Sequence, residues 1–250
     1  MADRPSPTVS RRVTPTDIRP VTPRPRPDGG TVVVVYGSRA DVGVATVATA
    51  LALAFRSLGS DAVGLAELDP RVASRARGAS VAAPGAPPAS ADRLADTADR
   101  VEVPGLDAAL VRRPDGVWTL AMRPKTTPIS DAKAVTVTVD AMRAKFPVSV
   151  ASLGHQLSER TLAAFDAADR IVLITEGAVP SVRGTQRVLR LCRRLNYPDE
   201  KMCVVVNRFD APGSLAVNDI SAALRREVYW KIADGPDPDL SGLASKLLEP

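Results

Sequence analysis

Residues 37–46 read Gly-Ser-Arg-Ala-Asp-Val-Gly-Val-Ala-Thr and lie between an apolar run, "VVVVY", and an alanine-rich helical pattern. Strand, short glycine-bearing loop and helix, in that order, are the layout of a phosphate-binding loop. Such a loop works because consecutive backbone N–H groups point inward at a helix N-terminus, where the helix dipole adds partial positive charge. A lysine near its end then supplies a full charge to the terminal phosphates, and the following Ser or Thr hydroxyl holds magnesium. Here Gly43 is followed by Val44 and Ala45, and Asp41 places a carboxylate where a polyphosphate would lie. Truncating one partner of a buried charge pair costs roughly 2–5 kcal/mol, so the missing lysine alone weakens phosphate binding ~30-fold to several-thousand-fold. Taken by itself, the stretch is also what an ordinary strand–loop–helix crossover looks like.

The elements that must position this loop alternate along the chain. Short β-branched runs at 31–37, 61–68, 147–153, 170–177 and 201–208 read as strands, with 116–122 and 226–232 as further candidates. Helical patterns cover 45–58, 131–145, 158–168, 180–195, 216–225 and 239–248. Continuous apolar strands belong in a sheet covered on both faces, and repeated βα alternation predicts an α/β fold: a doubly wound, mostly parallel sheet flanked by helices. In such sheets ligands sit beyond the carboxyl ends of the strands, where the loop at 37–46 falls.

Residues 1–29 are rich in Pro, Arg, Thr and Ser without apolar periodicity, which predicts a disordered basic tail ahead of one α/β domain at 30–250. A second stretch, 78–92, is rich in Ala, Pro and Gly and reads as a long surface loop. A length of 250 residues with 45% apolar content allows a sizeable core, and a net charge of +5 permits an acidic partner without demanding one. No uncharged apolar run approaches the ~18 residues a spanning helix needs. No charged-then-apolar segment opens the chain, so export is not indicated and a cytoplasmic location is expected. Cys192 and Cys203 lack ligand or redox spacing, and His155 is the single histidine, so no metal site is expected.

Beyond the loop, "DAVGLAELDP" ends a second strand with Glu67 and Asp69. "SLGHQLSERTLAAFDAADRIVLIT" then leads into "PSVRGTQRVLRLCRRLNYPDEKMCVVVNRFD". In order and spacing these resemble the MinD/ParA-type deviant P-loop ATPases, and most closely the CpaE/TadZ branch of Tad (Flp) pilus assembly. That branch carries a K-G-G-V-G-K-T-T-x-A loop and an L-D-x-D after the second strand. An L-S-x-x-T-L-x-A-L-D-A-A-D run and an R-R-L-x-Y-P-D-E-K run follow, with an N-R-[YF] near the end. The likeness covers about residues 30–250 and is most specific in its second half; the receiver-like domain usual in the branch has no counterpart in this chain.

The resemblance implies roles position by position. Ser38 lies in the loop, and Arg39 falls at the signature lysine and keeps its charge. Asp41 replaces a loop glycine, Gly43 is retained, Val44 replaces the loop lysine and Ala45 the magnesium-binding hydroxyl, while Thr46 keeps the second threonine. Glu67 and Asp69 stand where the branch has two aspartates, and the later metal-side aspartate falls at Ser152. Asn207 matches the asparagine used towards adenine, although a plain turn cap after a strand reads equally well. These positions form an expected degenerate nucleotide pocket with no catalytic residue, no metal and no required cofactor, at most weak ATP or ADP binding.

Arg183, Arg187, Arg190 and Arg194 recur at steps of four, three and four along one helix, a candidate partner surface as well as an ordinary solvated face. Val188, Leu191, Cys192 and Leu195 are the expected core-facing stripe. The absence of interleaved aromatics counts against single-stranded nucleic acid. Leu240, Leu243, Leu247 and Leu248 read as a final packing helix rather than a membrane-targeting one of the MinD kind. The function expected is a pseudo-ATPase scaffold for a pilus or secretion machine. It would work through protein partners and as a candidate homodimer, with recruitment to the inner membrane face or cell pole through those partners. A residual ATP-binding dimerisation switch and a ParA-like DNA-binding positioning protein are the alternatives, and a Rossmann dehydrogenase is disfavoured because no G-x-G-x-x-G follows the first strand.

Overall fold

Four consecutive valines at 32–35 can only be buried if both faces of their strand are covered, and the structure covers both. In the computed structural model, residues 29–69, 106, 109–121 and 132–249 are described. The expected tail (all but its last residue) and the expected loop at 78–92 lie outside them.

The strands are β1 (Thr31–Gly37), β2 (Val63–Glu67), β3 (Val111–Arg112), β4 (Trp118–Ala121), β5 (Val148–Ser152), β6 (Arg170–Thr175), β7 (Met202–Asn207) and β8 (Trp230–Ile232). They form one sheet in the order β3-β4-β2-β5-β1-β6-β7-β8, parallel throughout except for the antiparallel β3–β4 pair. The described residues span the α-helices α1 (Val44–Ser57), α2 (Ala132–Lys145), α3 (Glu159–Ala167), α4 (Val179–Arg194), α5 (Val217–Leu224) and α6 (Ser241–Leu248), and a 3-10 turn at Asp199–Lys201. Each expected strand and helix is present within a few residues of its expected ends. The two-residue β3 has no counterpart among the expected strands: it is too short for an alternation to register, and its hydrogen bonds to β4 alone define it.

Alternate residues of β1 sort the core into two layers. Val33 and Val35 face Val47, Leu51 and Phe55 of α1 and Leu243 and Leu247 of α6. Val32, Val34 and Tyr36 face the other side, where α2 to α5 contribute Val139, Met142, Phe165, Val188 and Cys192 among others. Residues 47, 51 and 55 recur every four positions, so one stripe of α1 is buried and its opposite flank is open to solvent. Fully burying each such side chain contributes about 1.5–3 kcal/mol.

Leu240, Leu243 and Leu247 are buried and Leu248 is 40% exposed, so α6 packs its apolar face on the sheet and on α1. Among the described residues no helix is long and apolar enough to cross a membrane. On α4 the buried stripe contains Val188, Cys192 and Leu195 as expected, but Leu191 is only half-buried and Leu189 takes the deeper place.

β1 lies between β5 and β6, so the chain leaves it towards β2 on one side and later returns to β6 on the other. Successive connections diverge at this point, and the diverging loops leave a crevice above the strand ends. The loop 37–46 lies there.

At the opposite end of the sheet, Arg143 of α2 is 5% exposed and closes a polar knot. Its Nη1 donates to Asp169 Oδ2 at 2.6 Å and to the Gly30 carbonyl at 2.9 Å, and its Nη2 donates to the Ala167 carbonyl at 2.6 Å. The same Asp169 oxygen accepts the Val32 N–H at 2.8 Å. One ion pair therefore fixes the start of β1, the end of α2 and the turn into β6.

Candidate functional site

The loop after β1 turns through two left-handed residues, Asp41 at φ 62° and Gly43 at φ 88°, before α1 begins at Val44. Aspartate tolerates that conformation better than most side chains, because its short carboxylate can bond locally. Gly43 has a second reason to be glycine: a Cβ there would lie 2.4 Å from Asn207 Nδ2. Gly37 is equally constrained, since a Cβ on it would meet Val42 Cγ2 at 2.4 Å and Val44 Cγ2 at 2.7 Å. Two valine side chains thus fold over the last residue of β1. Val42 is 2% exposed, and Val44 packs on the core layer shared by α1 and α6.

Two elements hold this loop, β7 and α4. Asn207, at the end of β7 and 7% exposed, donates from Nδ2 to the Val42 carbonyl at 3.0 Å. The Ser38 hydroxyl lies 3.4 Å from the Ser181 carbonyl and 3.3 Å from Thr185 Oγ1, both on α4. Gly184, between them, has no room for a side chain because Ser38 Oγ would be 2.5 Å from its Cβ. A glycine inside a helical pattern is a sequence signal of close approach, and the one at Gly184 points to this contact.

The expected pocket residues divide into three groups. Ser38, Val44, Gly43 and Asn207 meet in the loop as described. Arg39, Asp41 and Thr46 are exposed on its outer side, with Ala45 half-buried beside Thr46. The acids come from the neighbouring strands. Ser152 is in register with Val35 of β1 on one side and Glu67 of β2 on the other, so the two positions share one edge of the crevice. Its carbonyl accepts the Leu68 N–H at 2.8 Å. Glu67 and Asp69 are each 8% exposed. Arg160 of α3, which the sequence did not single out, donates from Nη2 to the Leu68 carbonyl at 3.0 Å, clamping the strand end between the two acids.

A cleft of about 610 Å³ runs from this corner along the open flank of α1. Ala45, Thr46 and Leu53 form its floor, Glu67 and Arg113 one wall, and the Pro236–Asp239 turn the other. Burial pushes the Glu67 carboxyl above the usual carboxylate range, and the Arg113 guanidinium pulls it part of the way back. A raised carboxyl pKa means the folded state binds this proton more tightly than the unfolded chain does. The folding penalty therefore grows as pH rises through the ordinary glutamate range, and it is complete above the raised value. Glu67→Gln has no such penalty. Its Tm should exceed the parent's at pH 7, with the gap closing as pH falls to about 4. Parallel melts at the two pH values check this, and a gap of constant size would contradict it.

At this corner positions 44 and 45 carry methyl groups and position 41 a carboxylate. No group of three or more His, Cys, Asp or Glu among the described residues could hold a metal ion.

Compared with solved structures, the chain is similar to a ParA family ATPase from Chlorobium tepidum TLS (TM-score 0.70, 14% identity, 88% of each chain covered). It is similar to the MinC:MinD cell division protein complex of Aquifex aeolicus (TM-score 0.66, 19% identity, 87% of this chain and 86% of that one). It is also similar to cobyrinic acid a,c-diamide synthase of Mycobacterium smegmatis, solved with an ATP analogue and magnesium (TM-score 0.62, 19% identity, 78% and 82%). No protein-family model and no curated protein sequence matches the chain. The sheet order, the flanking helices and these likenesses define the class: the chain has the MinD/ParA-type P-loop NTPase fold.

Proposed function

We propose that the chain is a non-catalytic pseudo-ATPase of the CpaE/TadZ kind, serving as a localisation or assembly scaffold for a pilus or secretion machine through protein contacts. The single observation that carries the reading is the side chain at position 44. Val44 folds over Gly37 and packs against the core, and the resemblance aligns this position with the loop lysine. Ala45, Asp41 and Ser152 add the loss of the hydroxyl, a repelling carboxylate and the loss of the third acid. The branch rests on the "LSERTLAAFDAAD", "LNYPDEK" and "VNRFD" runs. The same runs give the partner expectation: components of such a machine, with recruitment to the inner membrane face or a pole through them.

The purified 250-residue chain should show no magnesium-dependent phosphate release from ATP above background. Release that scales with protein concentration and disappears in Asp69→Asn would overturn the proposal. A second reading, a nucleotide-binding switch without fast hydrolysis, is favoured by one feature: the left-handed residues Asp41 and Gly43 give the loop a tight turn directly before the N-terminus of α1. Calorimetric titration with ATP and ADP, with and without magnesium, separates the two.

A further inference from the structure

All four arginines of the α4 stripe, Arg183, Arg187, Arg190 and Arg194, are exposed. Among the described residues none of them has a hydrogen-bonding or ion-pairing partner. Other arginines of the fold are engaged: Arg143 with Asp169, Arg208 with Glu176 and Arg226 with Asp199. No acidic residue occurs on α4, so the stripe carries uncompensated charge over about 17 Å of helix at 1.5 Å per residue. One turn before Arg183, on the same line, Val179 is 47% exposed, one of the few large apolar side chains so open to solvent.

Arginine rather than lysine at every position favours planar oxyanions that accept two hydrogen bonds at once. Steps of four, three and four average close to the helical repeat, so the stripe runs almost straight along the helix, with the exposed Arg193 beside its end. A partner helix with carboxylates at the same steps presents a matching row, and an apolar residue at its end would cover Val179. Duplex DNA calls for a far broader basic footprint, on the order of 1,000 Å² or more. A membrane surface calls for an apolar face alongside the charge, where this stripe has a single valine.

Resting on the scaffold reading and extending it, we propose that the α4 stripe docks an acidic amphipathic helix of a partner protein, with its apolar end on Val179. The test uses the full chain without nucleotide and a fluorescent helical peptide of about 20 residues, long enough to be measurably helical. Its glutamates recur at steps of four, three and four, and a leucine stands one turn beyond the last. A scrambled peptide of identical composition, a 30-base-pair duplex and phosphatidylglycerol vesicles are the other probes. The ordered peptide should bind at least ~10-fold tighter than the scrambled one at low salt, a difference of about 1.4 kcal/mol. Arg187→Glu with Arg190→Glu should abolish that preference while leaving the melting temperature unchanged, because both side chains are exposed. Equal binding of the two peptides, a preference that survives the double variant, or stripe-dependent binding of duplex or vesicles tighter than that of the peptide would each overturn the proposal. Nucleotide turnover is not read here, so an active enzyme would remove the pseudo-ATPase reading and leave the docking result standing.

Discussion

Replacing Asp41 by Gly, Val44 by Lys and Ala45 by Thr together should create measurable magnesium-dependent ATP binding. The backbone is already suited to the change: position 41 sits at φ 62°, which glycine adopts without cost, and Gly43 is already left-handed at φ 88°. A lysine side chain at position 44 would follow the path that Val44 takes, its aliphatic stem lying over Gly37 while the ammonium reaches out to the phosphates. The restored ion pair is worth roughly 2–5 kcal/mol, so affinity should rise by ~30-fold to several-thousand-fold over the parent. Val44→Lys alone should gain much less, because the ammonium would pair with the Asp41 carboxylate. Hydrolysis should stay at background, with Ser152 still in place of an acid between β1 and β2. Calorimetry on the folded triple variant decides the matter; no heat of binding at millimolar ATP would mean that the loop no longer offers its N–H groups to phosphate.

The second large effect lies at the other end of the sheet. Arg143→Ala should cost about 3–5 kcal/mol, because it leaves the Asp169 carboxylate, 11% exposed, without its guanidinium. Against a total stability of roughly 5–15 kcal/mol that is a large fraction, and the Gly30 and Ala167 carbonyls lose a donor with it. Arg143→Met with Asp169→Asn should recover part of the loss: no charge is then buried alone, and the asparagine oxygen can still accept from Val32 N–H. Urea midpoints at constant m-value measure both variants. An Arg143→Ala loss below about 1 kcal/mol would show that water reaches the carboxylate freely.

The sequence carried the fold further than the site. Alternation of β-branched runs with helical patterns is a local signal, and it found every α-helix described above and all strands but Val111–Arg112. What it could not carry is contact across the chain. Nothing in the spacing announces that Asn207 would donate to Val42, 165 residues earlier, or that Arg160 would clamp Leu68. Residue types alone showed that position 44 carries no charge, position 45 no hydroxyl, and position 41 a carboxylate. Where the Val44 side chain goes instead depends on the room above Gly37, which only the packed fold defines. The α4 register shows the same limit: the expected stripe named Leu191, and in the packed fold Leu189 is the deeper of the two.

The closure of the loop by its own side chains reaches beyond the binding question. A relative that binds nucleotide gains stability by mass action, about 2.7 kcal/mol at a concentration 100 times Kd, so its folded population follows the cell's energy charge. Here the Asn207 amide and the two valines hold the loop by contacts within the chain, and under the pseudo-ATPase proposal they do so whatever the ATP level. On the proposed reading, a starving cell and a growing one would contain the same amount of folded protein in the same shape.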